Sequence, residues 1–432
     1  MGKRESISIG LMGLGVVGSG VAKTLFEKSD AIAQQVGCPL KIKKILVRDL
    51  SKKRDFDVSH HLLTTDPEQI ITDPEIDIVI EVIGGETEAF EYIKGAISKR
   101  KHIVTANKEV ISKHSLELFA LASKNKVDIR YEASVGGGIP LVAPFQRDLL
   151  ANNISAIHAI INGTTNYIVT RMTKDGLDFA TALKQAQELG YAEANPANDI
   201  DGVDAAYKLA ILATLAFRTE IRPDDIYYEG ISRLTARDFR YAKELGYAIK
   251  LLAIAKKEKQ AIQVRVHPAF VPEDLLLANV DGVFNAIQVE GDLVGRVIFY
   301  GRGAGSSPTA SAVVADVIQL AQNIYLGIRP RPQLKLYKAK KLTPISEIKT
   351  RYYMRVTVID HPGVLAQISK ILGDHSISIA SVIQKEADEK AGTAEIVIMT
   401  HPAKESAFQK ALQRTLKLAV VKDIGNFIRV ED

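Results

Sequence analysis

The chain contains a single cysteine and carries little net charge, and both scarcities limit what it can be. Cys38 by itself cannot form an internal disulfide, which is typical of proteins in a reducing cytoplasm. A formal charge of +5 over 432 residues is mild, and no basic stripe is interleaved with aromatic side chains. The sequence therefore gives no reason to expect nucleic acid as a partner, and we expect a cytoplasmic protein.

Long hydrophobic runs are also missing. No apolar stretch approaches the roughly 20 residues that span a bilayer, and the N-terminal segment does not have the pattern of a signal peptide, so we expect no association with membranes. The nine histidines form no H-E-x-x-H motif and no Cys/His cluster, so nothing indicates a transition-metal site. The length allows two or three domains.

The N-terminal part alternates between strand and helix patterns. Strands are predicted at residues 6–11, 40–47, 76–82 and 102–105, with helical stretches between them. This alternation predicts an α/β fold with a parallel sheet of the Rossmann type. We expect residues 1–130 to form a dinucleotide-binding domain, completed by a later helix at about 308–325.

A glycine motif follows the first predicted strand. Gly13, Gly15 and Gly18 form the pattern G-x-G-x-x-G, and Val16 and Val17 lie at the start of the helix after it. The first glycine allows a tight turn, the second lets the backbone approach a pyrophosphate, and the third lets the helix pack on the strand. The N-terminus of that helix would bind the phosphates. The motif is weak by itself, but its position between a strand and a helix predicts a nicotinamide dinucleotide site.

The end of the second predicted strand bears on the choice between NAD and NADP. Arg48 there would accept a 2′-phosphate, whereas the neighbouring Asp49 would bind a ribose 2′-hydroxyl. Because both are present, their spacing does not decide. The further cations Lys52, Lys53 and Arg54 favour NADP, with NAD as the alternative.

Other candidate residues follow the later strands. Ligands of doubly wound sheets bind at the carboxyl ends of the strands, where the sequence places Gly84 and Thr105. Lys108 begins the next predicted helix, at the point where nicotinamide and substrate would meet. A surface lysine at a helix start is the alternative interpretation.

Residues 131–328 have a mixed pattern that predicts an α+β domain for substrate binding and dimerisation. A glycine-rich turn is followed by a strand at 154–161, and Asn162 is expected to cap the helix after it. Further helices are predicted through about residue 257. Strands are predicted at 263–271, 282–288 and 292–300.

A group of four carboxylates and a lysine lies between positions 186 and 208. It places Glu193, Asp199, Asp201, Asp204 and Lys208 in a short loop and the helix turn after it. Asp204 and Lys208 are four residues apart and therefore share one face of a helix. A lysine beside carboxylates, downstream of a nucleotide motif, predicts proton transfer next to a redox cofactor. The alternative is a solvated ion pair at a helix start.

The C-terminal part begins a new unit after a segment at 329–349 that contains prolines and basic residues and indicates a linker. Residues 350–432 show the order β-α-β-β-α-β of the ferredoxin-like fold. A D-x-P-G turn, from Asp360 to Gly363, joins the first strand and the first helix of this unit.

Residues 186–208 resemble homoserine dehydrogenases. They fill every position of the family pattern A-x3-G-Y-x-E-x-x-P-x-x-D-x-x-G-x-D-x3-K, and residues 81–85, 106–108, 162–166 and 303–309 resemble further family landmarks. The likeness covers about the first 320 residues. It implies reversible, NAD(P)-dependent hydride transfer between L-homoserine and L-aspartate 4-semialdehyde, in threonine, methionine and isoleucine biosynthesis.

The resemblance also implies roles for single residues. Lys208 would donate the proton in reduction, directly or through a water, and Lys108 would lie near the same oxygen. Glu193 and Asp204 would hold the α-ammonium group of the substrate and orient Lys208, with Asp199 as a weaker candidate.

The same resemblance extends to backbone contacts. Gly190, beside the substrate, and Gly305 would contact the nicotinamide end of the cofactor. A Na⁺ or K⁺ site would be formed by one carboxylate and three backbone carbonyls, at Glu132, Val135, Gly137 and Ile139. A plain glycine turn is the alternative for that segment.

The C-terminal unit resembles an ACT domain. In that family amino acids bind at the D-x-P-G turn, which makes Asp360 and Gly363 the candidate effector residues. The resemblance implies feedback inhibition by threonine, with a dimerisation module that binds no effector as the alternative. A homodimer or homotetramer is expected.

The sequence speaks against three other enzymes and one binding protein. An aspartate-semialdehyde dehydrogenase needs a cysteine nucleophile, and Cys38 is poorly placed for it. A 3-phosphoglycerate-type dehydrogenase would use a His/Glu pair, and an amino-acid sensor with a decayed nucleotide domain would have lost Lys108 or Lys208. No fused aspartate kinase is expected, because nothing precedes the nucleotide-binding strand.

Overall fold

The structure is a computed structural model that describes residues 4–52, 56, 58–259, 261–330, 336, 341–388 and 391–431, without the side chains of 386–388. The chain forms two compact units. The first consists of Met1–Ile154, Tyr207–Asp224 and Val289–Ala339, and the second of Ser155–Ala206, Asp225–Gln288 and Lys340–Asp432.

The described part of the chain contains strands and helices in alternation. The strands are β1 (Ile7–Met12), β2 (Leu40–Leu46), β3 (Leu63–Thr64), β4 (Ile78–Glu81), β5 (His102–Thr105), β6 (Ile129–Arg130), β7 (Ile154–Ile160), β8 (Tyr227–Tyr228), β9 (Tyr247–Glu258), β10 (Ala261–Pro272), β11 (Phe284–Gly291), β12 (Gly295–Arg302), β13 (Lys341–Leu342), β14 (Lys349–Ile359), β15 (Ile379–Asp388), β16 (Thr393–Thr400), β17 (Ala403–Lys404) and β18 (Val421–Val430). The helices are α1 (Val16–Glu27), α2 (Ser29–Val36), α3 (Glu68–Ile71), α4 (Thr87–Ser98), α5 (Lys108–Asn125), α6 (Val142–Gln146), α7 (Gly163–Asp175), α8 (Phe179–Glu188), α9 (Ala197–Ile200), α10 (Val203–Phe217), α11 (Ala236–Glu244), α12 (Ser306–Tyr325), α13 (Val364–Asp374) and α14 (Glu405–Thr415).

The first unit contains the predicted parallel sheet. Its strand order is β3-β2-β1-β4-β5-β6, and every pair along this order is parallel. All four residues of β4 are buried, as expected for a parallel strand covered by helices on both faces. The predicted Rossmann-type architecture is therefore confirmed.

Helix α12 belongs to the core of this unit although it lies far along the chain. Its Val313, Val317 and Leu320 are fully buried in the same cluster as Ile9 and Leu11 of the central strand. A Cβ atom at Gly20 of α1 would lie 2.7 Å from the Ser306 Oγ, so a glycine there lets the two helices approach closely.

The second unit is built around a long mixed sheet. Its strands follow the order β11-β7-β9-β10-β18-β14-β16-β15. The last four form the ACT-like part, in which β14 pairs antiparallel with both β18 and β16. Helices α13 and α14 supply Ile368 and Phe408 to its core. The predicted β-α-β-β-α-β order is confirmed.

One prediction was wrong in detail. Residues 247–257 are not helical, because Tyr247–Glu258 forms β9 and pairs antiparallel with β10 along its whole length. The alanine, leucine and lysine content of this segment is typical of helices, but pairing with β10 overrides that local preference. Within the predicted linker at 329–349, Lys341–Leu342 forms β13 and pairs with β10.

None of the helices in the described ranges has the length and apolar character that crossing a membrane requires.

Candidate active site

The carboxyl ends of the strands in the first unit lie at one edge of the sheet. Met12 of β1 pairs with Leu46 of β2 on one side and with Glu81 of β4 on the other, and Glu81 pairs with Thr105 of β5. Strands β2 and β3 lie on one side of β1, and β4, β5 and β6 lie on the other. Doubly wound sheets bind ligands at the point where the strand order switches sides in this way.

The glycine motif forms the turn from β1 into α1 at this edge. Gly13 has a φ of 105°, which favours glycine, and its N–H donates to the Leu46 carbonyl at 3.0 Å. A Cβ atom at Gly18 would lie 2.0 Å from the Gly13 carbonyl oxygen. Beside Gly15 no described atom lies within 4 Å of a Cβ position. Val16 is 72% exposed, so this face of the turn leaves room for a bound dinucleotide.

A buried carboxylate organises the next two loops. Glu81 accepts the Thr105 hydroxyl at 2.6 Å and the Ile83 N–H at 2.9 Å. Thr105 in turn accepts the Asn107 N–H at 2.9 Å, and the Asn107 amide donates to the Gly85 carbonyl at 2.6 Å. Burial raises the pKa of the Glu81 carboxyl, against the hydrogen bond from Thr105. The network fixes the loop that carries Gly84.

The same network sets the start of α5, and with it the position of Lys108. The Asn107 side chain caps the helix by accepting the Val110 N–H at 3.1 Å, as asparagine commonly does at this position. Further along α5, the Lys113 ammonium lies 5.3 Å from the ring centre of Tyr207, the residue before Lys208. Half-buried Lys108 and Lys208 therefore lie on two helices of the first unit that pack together.

The end of β2 distinguishes Arg48 from Asp49. The Asp49 carboxylate accepts the Ser51 N–H at 2.8 Å and the Ser51 hydroxyl at 2.7 Å, so it is engaged within its own turn. Arg48 is exposed. Lys53 and Arg54, which favoured NADP in the sequence, lie outside the described residues.

The predicted cation loop is buried in the first unit. Glu132, Val135, Gly137 and Ile139 are all buried. The Glu132 carboxylate accepts the backbone N–H groups of three successive residues, at 2.5, 2.8 and 2.7 Å; these are Leu141, Val142 and Ala143.

The backbone carbonyl groups of the same loop differ from the Glu132 carboxylate in their hydrogen bonding. Those of Val135, Gly137 and Ile139 accept no backbone hydrogen bond from the described residues. All three residues that carry these carbonyls are buried. No group of three or more His, Cys, Asp or Glu side chains in the described ranges could hold a metal ion, so the donors here would be mainly backbone.

Loop 302–306 lies against both the cation loop and the glycine motif. A Cβ atom at Gly137 would be 2.4 Å from the Gly303 carbonyl oxygen, and the Ser306 hydroxyl donates to the Val16 carbonyl at 2.9 Å. Gly305, with a φ of 116°, precedes α12 in this loop. The structure thus places Gly305 beside the predicted cofactor site.

In the second unit, one amide holds two of the predicted carboxylates together. The Asn162 Nδ2 group donates to Asp199 at 2.6 Å and to Asp204 at 2.8 Å. Asn162 also caps α7, since its Oδ1 accepts the Thr165 N–H at 2.8 Å, as the sequence predicted. Two carboxylates this close to each other favour a cation nearby.

The neighbouring loop carries the other predicted substrate residues. Glu193 and Gly190 are exposed, and the Thr164 hydroxyl donates to the Tyr191 carbonyl at 2.6 Å. The hydrogen bond ties the Gly190–Glu193 loop to the start of α7, next to Asn162. Asp201 is exposed in the turn before α10.

The effector residues border a cavity in the ACT-like part. A cavity of about 310 Å³ lies at the turn between β14 and α13, lined among others by Asp360, Gly363 and Gln384. Gly363 has a φ of 89°, and Asp360 is held through its N–H, which donates to the Gly392 carbonyl at 3.0 Å.

Two residues of these networks were not predicted as site residues from the sequence. Glu81 ends a strand of otherwise apolar residues, which could have marked it as a buried carboxylate with a special role. Asn162 was predicted only as a helix cap. Nothing in the sequence indicates that its amide reaches Asp199 and Asp204.

Comparison with known protein families gives three matches. The homoserine dehydrogenase NAD-binding domain matches residues 13–132, homoserine dehydrogenase matches residues 140–318, and the ACT domain matches residues 352–420. Among curated proteins, the homoserine dehydrogenase of Bacillus subtilis is 40% identical, with 99% of each chain covered. That of Synechocystis is 43% identical over 98% of this chain and 99% of the relative.

Solved structures give the same result. The structure of a homoserine dehydrogenase from Thiobacillus denitrificans has a TM-score of 0.92 and 42% identity, covering 99% of this chain and 98% of the other. A hyperthermophilic archaeal homoserine dehydrogenase in complex with NADPH has a TM-score of 0.63 and 28% identity, covering 76% of this chain and all of the other.

The buried Glu81 generates a prediction about pH. Its raised folded-state pKa means that its contribution to stability is fully present below the ordinary value of 4.5 and is lost as pH rises through the folded value. In Glu81→Gln this loss is absent. Relative to wild type, the variant should therefore gain stability with rising pH, by about 1.4 kcal/mol per unit of pKa shift. Urea unfolding between about pH 3 and 8, a range that includes the ordinary carboxyl pKa of both Glu81 and its control, measures it.

Glu86 in the same region provides a control of opposite sign. Its ion pairs with Lys113 and His114 lower the pKa of its carboxyl, so its contribution is lost as pH falls below 4.5. Glu86→Gln should lose stability relative to wild type as pH rises towards 4.5, and the half-exposed position makes the effect small. A difference between Glu81→Gln and wild type that does not vary with pH would contradict the role of burial.

Proposed function

The chain belongs to the homoserine dehydrogenase family, and we propose that Asp199, Asp204 and Lys208 carry its reaction, the NAD(P)-dependent interconversion of L-homoserine and L-aspartate 4-semialdehyde. The observation that supports this most is the Asn162 amide, which brings Asp199 and Asp204 together on the segment that leads to Lys208. We further propose that the enzyme reduces the aldehyde in amino-acid biosynthesis.

The substrate side of the site needs a receptor for an ammonium group. Homoserine and aspartate semialdehyde both carry an α-ammonium, which two nearby carboxylates attract. Asp204 is 3% exposed, so its attraction is screened less by water than that of a surface carboxylate. Glu193, on the adjoining exposed loop, supplies the third acidic group for the ammonium. Gly190 contributes backbone contacts.

Lysine side chains suit the reacting oxygen. The bound nicotinamide supplies the hydride for reduction and accepts it in oxidation. In reduction, negative charge builds on the aldehyde oxygen. An ammonium group beside that oxygen stabilises the charge and delivers the proton. Lys208, one helical turn after Asp204 in α10, donates that proton directly or through a water. Lys108, at the start of α5, stabilises the same oxygen.

The role of Lys208 can be tested by removing its amine. Lys208→Ala should lower kcat by about 10²–10⁴-fold, the usual contribution of a positioned proton donor, while the KM for the cofactor changes little. Lys184→Ala, whose side chain is 77% exposed on α8, is the matched control and should behave as wild type. Steady-state kinetics with aspartate semialdehyde provide both values, and a kcat near that of wild type would refute the role.

The nucleotide end of the site favours NADP. The glycine turn of Gly13, Gly15 and Gly18 provides the phosphate site. Val16 and Val17 form the N-terminus of α1, where backbone N–H groups bind phosphates. The engagement of Asp49 with Ser51 supports this choice, because it leaves Arg48 as the group at the strand end that suits a 2′-phosphate. Gly84, Thr105 and Gly305 line the nicotinamide end.

Cofactor preference then depends on Arg48. Arg48→Ala should raise the KM for NADPH by about tenfold or more, since a charge-assisted hydrogen bond contributes about 1.5–3 kcal/mol, and should leave the KM for NADH nearly unchanged. Lys41→Ala, an exposed position on the same strand, is the control. If the wild type uses NADH more efficiently than NADPH, the NADP assignment is wrong.

The loop at 132–139 is proposed to bind Na⁺ or K⁺. Val135, Gly137 and Ile139 would supply carbonyl oxygens, and Glu132 would add its carboxylate, which also orders the backbone at 141–143. The cation would hold this loop against loop 302–306. Activity that is the same in sodium and in tetramethylammonium buffers would count against the site.

The ACT-like part is proposed to bind threonine. Its cavity at Asp360 and Gly363 has the volume for a small amino acid, and the exposed backbone at the start of α13 suits a carboxylate. Threonine binding there would provide feedback inhibition. Assembly as a homodimer or homotetramer would allow two such modules to meet.

Threonine should therefore lower the rate at saturating cofactor, whereas D-threonine, the control ligand, should not. In Asp360→Asn the threonine concentration for half-inhibition should rise about tenfold, because a charged hydrogen-bond acceptor for the ammonium is lost. Initial rates and melting temperatures with and without threonine measure this. A wild type whose rate and melting temperature ignore threonine would rule out the effector site.

A further inference from the structure

The C-terminal strand of the ACT-like part is joined directly to the rest of the second unit. Residues Ala269 and Phe270 of β10 pair in parallel with Arg429 and Val430 of β18. Arg429 is 1% exposed at this junction. A guanidinium buried so completely requires anionic partners, because it cannot lose its charge.

Two carboxylates satisfy the Arg429 guanidinium. Glu405 of α14 receives hydrogen bonds from Nε at 2.9 Å and from Nη2 at 2.7 Å. Glu229, which lies outside the ACT-like part, receives one from Nη1 at 2.7 Å. The Tyr227 hydroxyl also donates to Glu229. Arg429 therefore links α14 to the segment that follows β8.

The segment after Glu229 packs backbone against backbone on the loop between Asp199 and Asp204. The Ile231 N–H donates to the Ile200 carbonyl at 2.9 Å. A Cβ atom at Gly230 would lie 2.2 Å from that carbonyl oxygen and 2.7 Å from the Asp201 Cα. Only a glycine permits this approach, so a displacement of residues 229–231 would move the loop with it.

The segment borders an open space on its other side. A cavity of about 390 Å³ lies there, lined by Glu229, Gly230, Ser232, Pro268 and Phe427 among others. Side-chain packing is therefore missing where the cavity lies. The pairing of β8 with β10 and the Glu229 N–H, which donates to the Val266 carbonyl at 2.8 Å, hold the segment to β10. The ion pair with Arg429 connects it to the ACT-like part, together with a hydrogen bond from the Asn426 amide to the Arg233 carbonyl at 3.3 Å.

We propose that Glu229 and Arg429 are positioning residues for substrate binding: their ion pair holds residues 229–231, which hold the loop that spaces Asp199 and Asp204. Asn162 fixes the same two carboxylates from the other side. The proposal rests on the function proposed above for Asp199 and Asp204. It assigns the ACT-like part a role in building the substrate site even when no effector is present.

The test is Glu229→Gln in the full-length enzyme, which keeps the size of the side chain and removes its charge. The KM for homoserine should rise about tenfold, equivalent to about 1.4 kcal/mol. The change in kcat and in the cofactor KM should stay within about twofold, because the loop binds the ammonium alike in ground and transition states. Arg429→Lys, which retains the charge, should raise the KM less than Glu229→Gln does.

A matched control exists within the same unit. Arg355, also buried, pairs with Glu395 at 2.8 Å and with Asp238 of α11 at 2.9 Å. It therefore links the ACT-like part to α11, which does not include residues 229–231. Glu395→Gln also removes a carboxylate charge that is paired with a buried arginine, and Glu395 is the more buried of the two carboxylates. It should leave the KM for homoserine unchanged, so an equal rise in Glu395→Gln and Glu229→Gln would overturn the proposal.

Two further variants keep the outcome decisive. If Glu229→Gln does not fold, Tyr227→Phe removes one hydrogen bond to Glu229 and should still raise the KM for homoserine by about threefold; an unchanged KM in a folded variant overturns the proposal. Asp204→Asn tests the proposed function separately. If it raises the KM for homoserine and Glu229→Gln does not, only the positioning role fails. If Asp204→Asn leaves the KM unchanged, the proposed substrate site itself is wrong.

Discussion

The backbone of β10 pairs with β9, β18, β8 and β13, and the second unit depends on these pairings. Through β9 the strand joins the sheet that carries Asn162, and through β18 it joins the ACT-like part. Buried charged side chains lie on these paired strands, and each needs a partner of opposite charge within the same unit. Arg429 with Glu229 and Glu405 is one such group, and Arg265 with Glu431 at 2.6 Å is another.

In the first unit, the register of the parallel strands plays the corresponding part. Met12, Glu81 and Thr105 lie side by side at one edge, so strand pairing brings together the loops that follow them. The Glu81 carboxylate then fixes two of these loops by hydrogen bonds. Hydrogen-bond donors hold this carboxylate in a buried position, and burial raises its pKa. Its protonation therefore links the geometry of the predicted cofactor site to pH.

Much of the fold could be predicted from the sequence, because the signals involved are local. The glycine pattern from Gly13 to Gly18 and the alternation of strands and helices require only neighbouring residues. The segment at 247–257 shows the limit, since its composition is typical of a helix and only pairing with β10 makes it a strand. The candidate site followed the same division: Lys208 and Asp204 were identified by spacing and resemblance, whereas Glu81 was noted only as part of the landmark at 81–85 and was given no role.

The sequence by itself determined the class of fold, the nucleotide motif and the group of acidic residues before Lys208, because each depends on residues close together in the chain. Tertiary structure decided which distant groups meet. The Asn162 amide reaches Asp199 and Asp204, and Arg429 reaches Glu229, only because strand pairing brings separate segments into hydrogen-bonding distance. Hydrogen bonds and ion pairs act over a few ångströms, so such partners are selected by the folded chain and leave no periodic pattern in the sequence.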